Sequence, residues 1–233
     1  MIVETLHNDS WAKTYVLIDK SSKKAAIIDS VFGRHEQDLD FIQQNNLELI
    51  YAIATHTHAD HVTACFDLRE KTGCEYVMYN NTASLGVSKY VQHGESLMLG
   101  KSVLTFYFAP GHTNDSMIIR AGNNLFTGDF LFTGQAGVGR DDLPSGRPEV
   151  HWESLKVLNN FSDNLMVYSG HDPPNTEMKN LGWNRLHNPV LNFNNFEEYL
   201  SWQKKQWKIL GEVKKIKTAI LANIFADTSS ETN

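Results

Sequence analysis

Residues 47–64, LELIYAIATHTHADHVTA, run an apolar segment straight into three histidines and an aspartate packed within six positions. This stretch constrains the chain more than any other. An apolar strand that ends in a ligand-rich loop belongs in a sheet whose strand ends build a polar site, because such loops are where sheets present functional groups. In an extended segment, residues i and i+2 point to one side. His56 and His58 are therefore placed to face one ion together. Asp60 and His61 lie past the bend, where a helix over 61–73 is expected to begin. They can face a second point close by, and Asp60 also stands where a helix cap is expected.

The same arrangement recurs along the chain. A strand over 102–109 runs into PGHTND and delivers His112. A strand over 123–127 ends in TGD and delivers Asp129. A strand over 164–169 ends in GHD and delivers His171. Histidines of a core fall inside apolar runs, and these do not. Imidazole and carboxylate without thiolate suit Zn, Fe, Mn or Ni better than Cu(I) or an iron–sulfur cluster. The other histidines, His7, His35, His93, His151 and His187, stand alone and read as solvated groups or core hydrogen-bonders. Cys65 and Cys74 match no zinc-finger or redox spacing and read as free thiols. Arg140, in the glycine-rich GVGRDD, reads equally as a surface arginine or a substrate contact.

Around these motifs the apolar pattern alternates between periods. TYVLID (14–19) and AAIIDS (25–30) read as a hairpin. HEQDLDFIQQNN (35–46) reads as an amphipathic helix and EYVMY (75–79) as a strand. Residues 116–122 and 123–129 read as a second hairpin, 149–161 as a helix, and 195–210 as a helix near the end. The tail ADTSSETN reads as frayed. Interleaved helices and hairpins predict mixed sheets covered by helices rather than a purely parallel sheet. No repeat or linker divides the 233 residues, so one domain over 1–233 is expected. A net charge of -6 argues against a nucleic-acid or anionic-membrane surface. No apolar run of about 18 residues predicts a membrane span. MIVETLHNDS has neither signal-peptide nor transit-peptide layout, so a cytoplasmic location is expected, or the mitochondrial matrix for a processed eukaryotic chain.

THTHADH, PGHT, TGD and GHD, in this order, resemble the metallo-β-lactamase superfamily. The resemblance implies an α+β fold, an αββα sandwich of two mixed sheets packed face to face. More narrowly, AAIIDSVF, FAPGHTNDSM, LFTGDFLF, GVGRDDLPSG and HNPVL are similar to the persulfide dioxygenases. That resemblance implies one Fe(II) per chain, held by His56, His112 and Asp129, with His58, Asp60, His61 and His171 behind them. It implies that Arg140 helps hold a thiol substrate such as glutathione persulfide. The terminal sulfur would be oxidised by O2 to sulfite, and a homodimer is implied. The alternative is a binuclear zinc thioesterase resembling glyoxalase II. There His56, His58 and His112 would hold one zinc, Asp60, His61 and His171 the other, and Asp129 would bridge.

Overall fold

The structure, a computed structural model, describes residues 1–212 and 216–227. Twelve described strands form two six-stranded sheets. The first contains β1 (Ile2–Leu6), β2 (Thr14–Asp19), β3 (Lys24–Ile28), β4 (Glu48–Ile53), β5 (Glu75–Tyr79) and β6 (Lys89–Val91), side by side in that order. β1, β2 and β3 are antiparallel neighbours; β3 to β6 run parallel. Parallel neighbours need crossover connections, and helices α1 (His35–Gln44) and α2 (Cys65–Thr72) supply two of them. The second sheet contains β7 (Ser96–Leu99), β8 (Ser102–Phe108), β9 (Met117–Ala121), β10 (Asn124–Gly128), β11 (Met166–Ser169) and β12 (Lys179–Asn180), again in sequence order. Only its β10–β11 pair is parallel. Helices α3 (Pro148–Ser154), α4 (Leu181–His187), α5 (Phe196–Leu210) and α6 (Ile216–Phe225) complete the described elements.

The two-residue period of the strands sorts the core into layers. TYVLID in β2 is buried at all six positions because both of its faces are covered. Tyr15 and Leu17 join Ile28, Phe106, Met117, Ile119 and Phe126 in the layer between the sheets. Val16 and Ile18 point the other way and pack with Ile42 of α1 and Leu68 of α2. On the second sheet, Ile118 and Leu125 face outward onto Leu155, Leu158 and Tyr199. The result is mixed sheets covered by helices, as the interleaved pattern predicted, in the αββα order that the resemblance implied.

This topology brings the strand ends together. β8 and β10 are both antiparallel to β9, so they run the same way, and β11 runs with β10. β3 and β4 likewise finish together. The Met117 N–H donates to the Thr55 carbonyl (3.0 Å), which stitches the two sheets at this edge. At another place, Asp19 ties the turn after β2 to the turn between β7 and β8. Its carboxylate accepts from the Ser21 hydroxyl (2.6 Å) and from the N–H groups of Ser21 (2.8 Å), Ser22 (3.2 Å) and Ser102 (3.0 Å). The Ser21 hydroxyl, against the opposing effect of burial, leads these donors in holding the Asp19 carboxyl well below the usual carboxylate range.

Several expectations need correction. α2 begins at Cys65, not at residue 61, and Ala64 occupies its cap without a side-chain bond. Asp60 is therefore not the cap. Residues before Cys65 are held away from the helix by a Val31–Thr63 bridge, and the Asp60 carboxylate is taken by His61 and His171. Gly73 ends the helix in a left-handed conformation, φ 75°. The helix expected over 149–161 is α-helical only to Ser154 and tightens to a 3-10 turn over Leu155–Asn160. β1, β6, β7, β12, α4 and α6 were not anticipated; most are short or lack a clear apolar period. Residues 228–233 of the expected tail lie outside the described residues. No described helix is long and apolar enough to cross a membrane.

The depressed Asp19 carboxyl sets a sign for pH dependence. A group whose folded pKa is lowered contributes stability above its unfolded value, about 3.9, and loses it as pH falls through the folded value. Asp19→Asn is expected to be less stable than the parent at pH 7, with the difference shrinking below about pH 4. Urea unfolding at both pH values measures it; a difference that grows on acidification would contradict the assignment.

Candidate metal centre

Five strand ends converge at the stitched edge. Asp29 follows β3, His56 follows β4, His112 follows β8, Asp129 follows β10 and His171 follows β11. The carboxylate oxygen Oδ2 of Asp129 lies 3.6 Å from His112 Nε2 and 3.9 Å from His56 Nε2. The ligand atoms of these three buried residues lie within 4.8 Å of one another. A second group with the same property joins His58, Asp60 and His61. The spacing argument had paired His56 with His58. Their rings are close, with centroids 4.1 Å apart, but His58 belongs to the second group.

Hydrogen bonds behind the rings decide which nitrogen faces inward. His112 Nδ1 donates to the Arg140 carbonyl (2.6 Å), and a carbonyl can only accept. His112 Nε2 therefore carries the lone pair. The Thr55 hydroxyl donates its one proton to Asp29 Oδ2 (2.8 Å), so it can only accept from His56 Nδ1 (2.9 Å). His56 Nε2 is left with its lone pair pointing at Asp129. His58 donates from Nε2 to Asp29 Oδ1 (3.2 Å), which leaves its Nδ1 free. One carboxylate, Asp29, thus sets two rings, the role that second carboxylates play behind metal-bound imidazoles. Asp29 was not named among the sequence candidates. It carried the same signal as the others, an acidic residue just past a strand in AAIID. It sits at φ 54°, a left-handed conformation that Asp tolerates better than most residues.

His171 closes the arrangement from the other side. It bonds Asp129 Oδ1 through Nδ1 (2.7 Å) and Asp60 Oδ2 through Nε2 (2.9 Å). Asp60 Oδ2 also takes His61 Nδ1 (3.0 Å). Burial opposes charge on His171, but the Asp129 and Asp60 carboxylates outweigh it and raise its pKa well above the ordinary histidine value. Burial likewise opposes ionisation of Asp129, and His171 leads the neighbours that hold its carboxyl well below the usual range. Burial, seconded by His58, pushes His56 well below the ordinary value, and burial lowers His112. Both are then neutral near pH 7, the form that ligates.

The residues fit a cation. His56 Nε2, His58 Nδ1 and His61 Nε2 are buried and have no hydrogen-bond partner. Each such atom costs about 1–3 kcal/mol when left unpaired. Three in one cluster, beside an ionised carboxylate, match lone pairs aimed at metal. The backbone is built around the same point. Gly139 passes so close that an added Cβ would stand 2.3 Å from the Asp129 carbonyl and 2.8 Å from His112 Nδ1.

A cavity of about 410 Å³ opens over His112, Asp129, His171 and Asp60, with Trp11, Phe132 and Trp202 among its walls. That volume suits a small molecule. Arg140 borders the cavity, but its guanidinium is already paired with Asp142 (2.7 and 2.8 Å) and bonded to the Gly211 carbonyl (2.9 Å). His7, His35, His93, His151 and His187 all lie outside the cluster, hydrogen-bonded elsewhere. Cys65 and Cys74 are free, buried thiols; Cys65 packs beneath the first sheet and takes no part in the cluster.

Fold, strand-end histidines and aspartates together define a metallo-β-lactamase site, and the family model for the metallo-beta-lactamase superfamily matches residues 11–171. The chain belongs to that superfamily. Within it, the chain is 30% identical over 182 residues to the mitochondrial persulfide dioxygenase ETHE1 of Bos taurus, covering 76% of this chain and 70% of that protein. It is 32% identical over 174 residues to hydroxyacylglutathione hydrolase 1 of Vibrio vulnificus, covering 74% and 67%. A crystal structure of ETHE1 from Myxococcus xanthus superposes with a TM-score of 0.89 at 32% identity, covering 97% of this chain and 99% of that one.

Because Asp29 sets two rings at once, Asp29→Ala is expected to weaken metal retention by about 10–100-fold while leaving the protein folded. Competition with a chelator measures it. Parent-like retention would mean the tautomers are set elsewhere.

Proposed function

We propose that the chain is a non-haem Fe(II) dioxygenase that oxidises the terminal sulfur of a low-molecular-weight persulfide, glutathione persulfide in the first instance. The net reaction consumes one persulfide, one O2 and one water, and releases the free thiol, sulfite and two protons. The observation that carries this reading is the divided carboxylate of Asp129. Its Oδ1 is occupied by His171, and its Oδ2 faces His56 and His112. Two imidazoles and one carboxylate oxygen on one face form the ligand set of mononuclear Fe(II) oxygenases. The similarity to proteins named persulfide dioxygenase supports the same reading.

His56, His112 and Asp129 would hold the iron. When bound, Fe(II) would supply the redox chemistry that lets O2 react with a sulfur anion. The chain's own groups would do the rest. His171 would keep Asp129 ionised and turned, through its Nδ1–H bond to Oδ1. Asp60, at the exposed end of the Asp129–His171–Asp60 chain, would keep His171 protonated and fixed in place. Trp11, Phe132 and Trp202 would line an apolar approach that excludes water from the sulfur. Arg140 would orient the thiol's polar end only if Asp142 releases it, since Asp142 neutralises it here.

A second reading has a specific observation behind it. The unpartnered His58 Nδ1 and His61 Nε2 offer ligands for another cation, as a two-zinc thioesterase would need. The similarity to a hydroxyacylglutathione hydrolase points the same way.

Metal analysis of the purified protein, with O2 uptake on glutathione persulfide, separates the two. About one iron per chain and rapid uptake are expected. Two zincs, no uptake and cleavage of S-lactoylglutathione would reject the dioxygenase. Asp129→Ala is expected to abolish iron binding and His58→Ala to leave most of it. Equal losses would show the ligand assignment to be wrong.

A further inference from the structure

The loop that carries the first four cluster residues makes few backbone hydrogen bonds of its own. Side chains from distant elements hold it instead. Asp29 takes the Thr55 N–H (2.8 Å), and Asp115 takes the Thr57 N–H (3.1 Å). The far end of the loop, residues 58–63, is held on one side by the Val31–Thr63 bridge and the Phe32 N–H, which donates to the Val62 carbonyl (2.9 Å), and on the other by one residue of α6. Asn223 Nδ2 donates to the carbonyls of His58 (2.9 Å) and His61 (3.0 Å), and its Oδ1 accepts from the Thr63 N–H (2.8 Å). Three of the four hydrogen bonds that a carboxamide can make are thus spent on one loop. Asn223 is 4% exposed, and its own carbonyl accepts from the Ser84 hydroxyl (2.8 Å). The Leu85 N–H donates to the neighbouring Ile224 carbonyl (2.7 Å), so α6 is itself anchored beside the loop.

We infer that Asn223 is a positioning residue for the metal loop: through the backbone of His58, His61 and Thr63 it fixes where those two imidazoles stand. The inference rests on the proposed reading that the cluster holds a metal. The physical reason is register. A two-residue period places His56 and His58 only while the segment stays extended, and the chain must then bend sharply to reach α2. A loop with unsatisfied carbonyls at the bend would sample several shapes. One amide that bonds a carbonyl before the bend, a carbonyl within it and an N–H after it selects one shape. No hydrophobic contact does this, because apolar packing is non-directional. The side chain lies 162 to 165 positions from the carbonyls it binds. It touches none of the ligand atoms and so acts only through other residues.

The test uses the full chain with Asn223→Ala, Asn223→Asp and, as a control on the same helix, Leu221→Ser at an exposed position. Asn223→Asp keeps the acceptor for Thr63 but turns a second oxygen toward two carbonyls. Anaerobic titration of each apoprotein with Fe(II) against a chelator reads the metal site directly. Both Asn223 variants are expected to lose about 10-fold in Fe(II) affinity, more than His58→Ala, because the freed backbone of the loop carries the iron-binding His56 with it, whereas His58→Ala leaves that backbone in place. Leu221→Ser is expected to match the parent. In turnover at saturating Fe(II), kcat is expected to fall and KM to rise, since Ala59 and Asp60 of the same loop line the cavity. A folded Asn223→Ala that binds Fe(II) as the parent does overturns the inference, whatever its melting temperature. If Asn223→Ala does not fold, Asn223→Ser, small and with one donor left, takes its place under the same criterion. A parent protein that holds neither Fe(II) nor Zn(II) overturns the metal reading, and this inference with it. A parent that binds beside variants that bind equally overturns this inference alone.

Discussion

Everything at the site depends on the Asp29 carboxylate and the three donors it collects. Thr55 gives it a backbone N–H and a hydroxyl proton, and His58 gives it a ring proton. The first bond locks the end of β4 beside the end of β3. The second makes Thr55 an acceptor and so turns the lone pair of His56 inward. The third does the same for His58. A strand-pairing constraint is converted in this way into ring tautomers, and ring tautomers decide what the cluster can ligate. Without a carboxylate at that position the fold could form and the histidines could still be adjacent, but His56 and His58 would lose the acceptor that sets their tautomers.

The second sheet contributes the other half by a different device. His112 is aimed by a backbone carbonyl, that of Arg140, and Asp129 by the ring of His171. The Arg140 carbonyl is in turn placed by its loop, because the Gln203 side chain of α5 donates to the neighbouring Gly139 carbonyl (2.9 Å). Arg140 therefore serves the cluster through its main chain, whatever its side chain does for substrate. The layered core explains why these partners come from so many elements. Helices on both outer faces leave the strand-end edge as the place where loops from both sheets meet.

Much of this was legible in the residues. Each of β4, β8, β10 and β11 was visible as an apolar run, and each was followed by the His or Asp that the structure brings to the cluster. The hairpins, the end of α2 at a glycine and the extent of α5 also followed from local chemistry. What failed was local chemistry overruled from a distance. Asp60 has the right type and position for a helix cap, yet two histidines claim its carboxylate. The segment 149–161 is helical by pattern but tightens after Ser154. α6, with its apolar residues spread around the helix, offered no periodic signal, and Asn223 within it was one asparagine among many.

The sequence by itself determined the inventory of histidines and aspartates and the strand ends that carry it, because residue type and a two-residue period are local properties. It also pointed to mixed sheets covered by helices, since the apolar runs alternate between strand and helix periods and several strands pair as hairpins. Only the tertiary structure decided which nitrogen of each ring faces inward, that His58 groups with Asp60 and His61 rather than with His56, and that Asp129 presents one oxygen and not two. Those outcomes depend on hydrogen bonds from Asp29, Arg140 and His171, and on a helix more than 150 residues further along the chain. Such bonds form only once the two sheets have closed, and no local pattern records them.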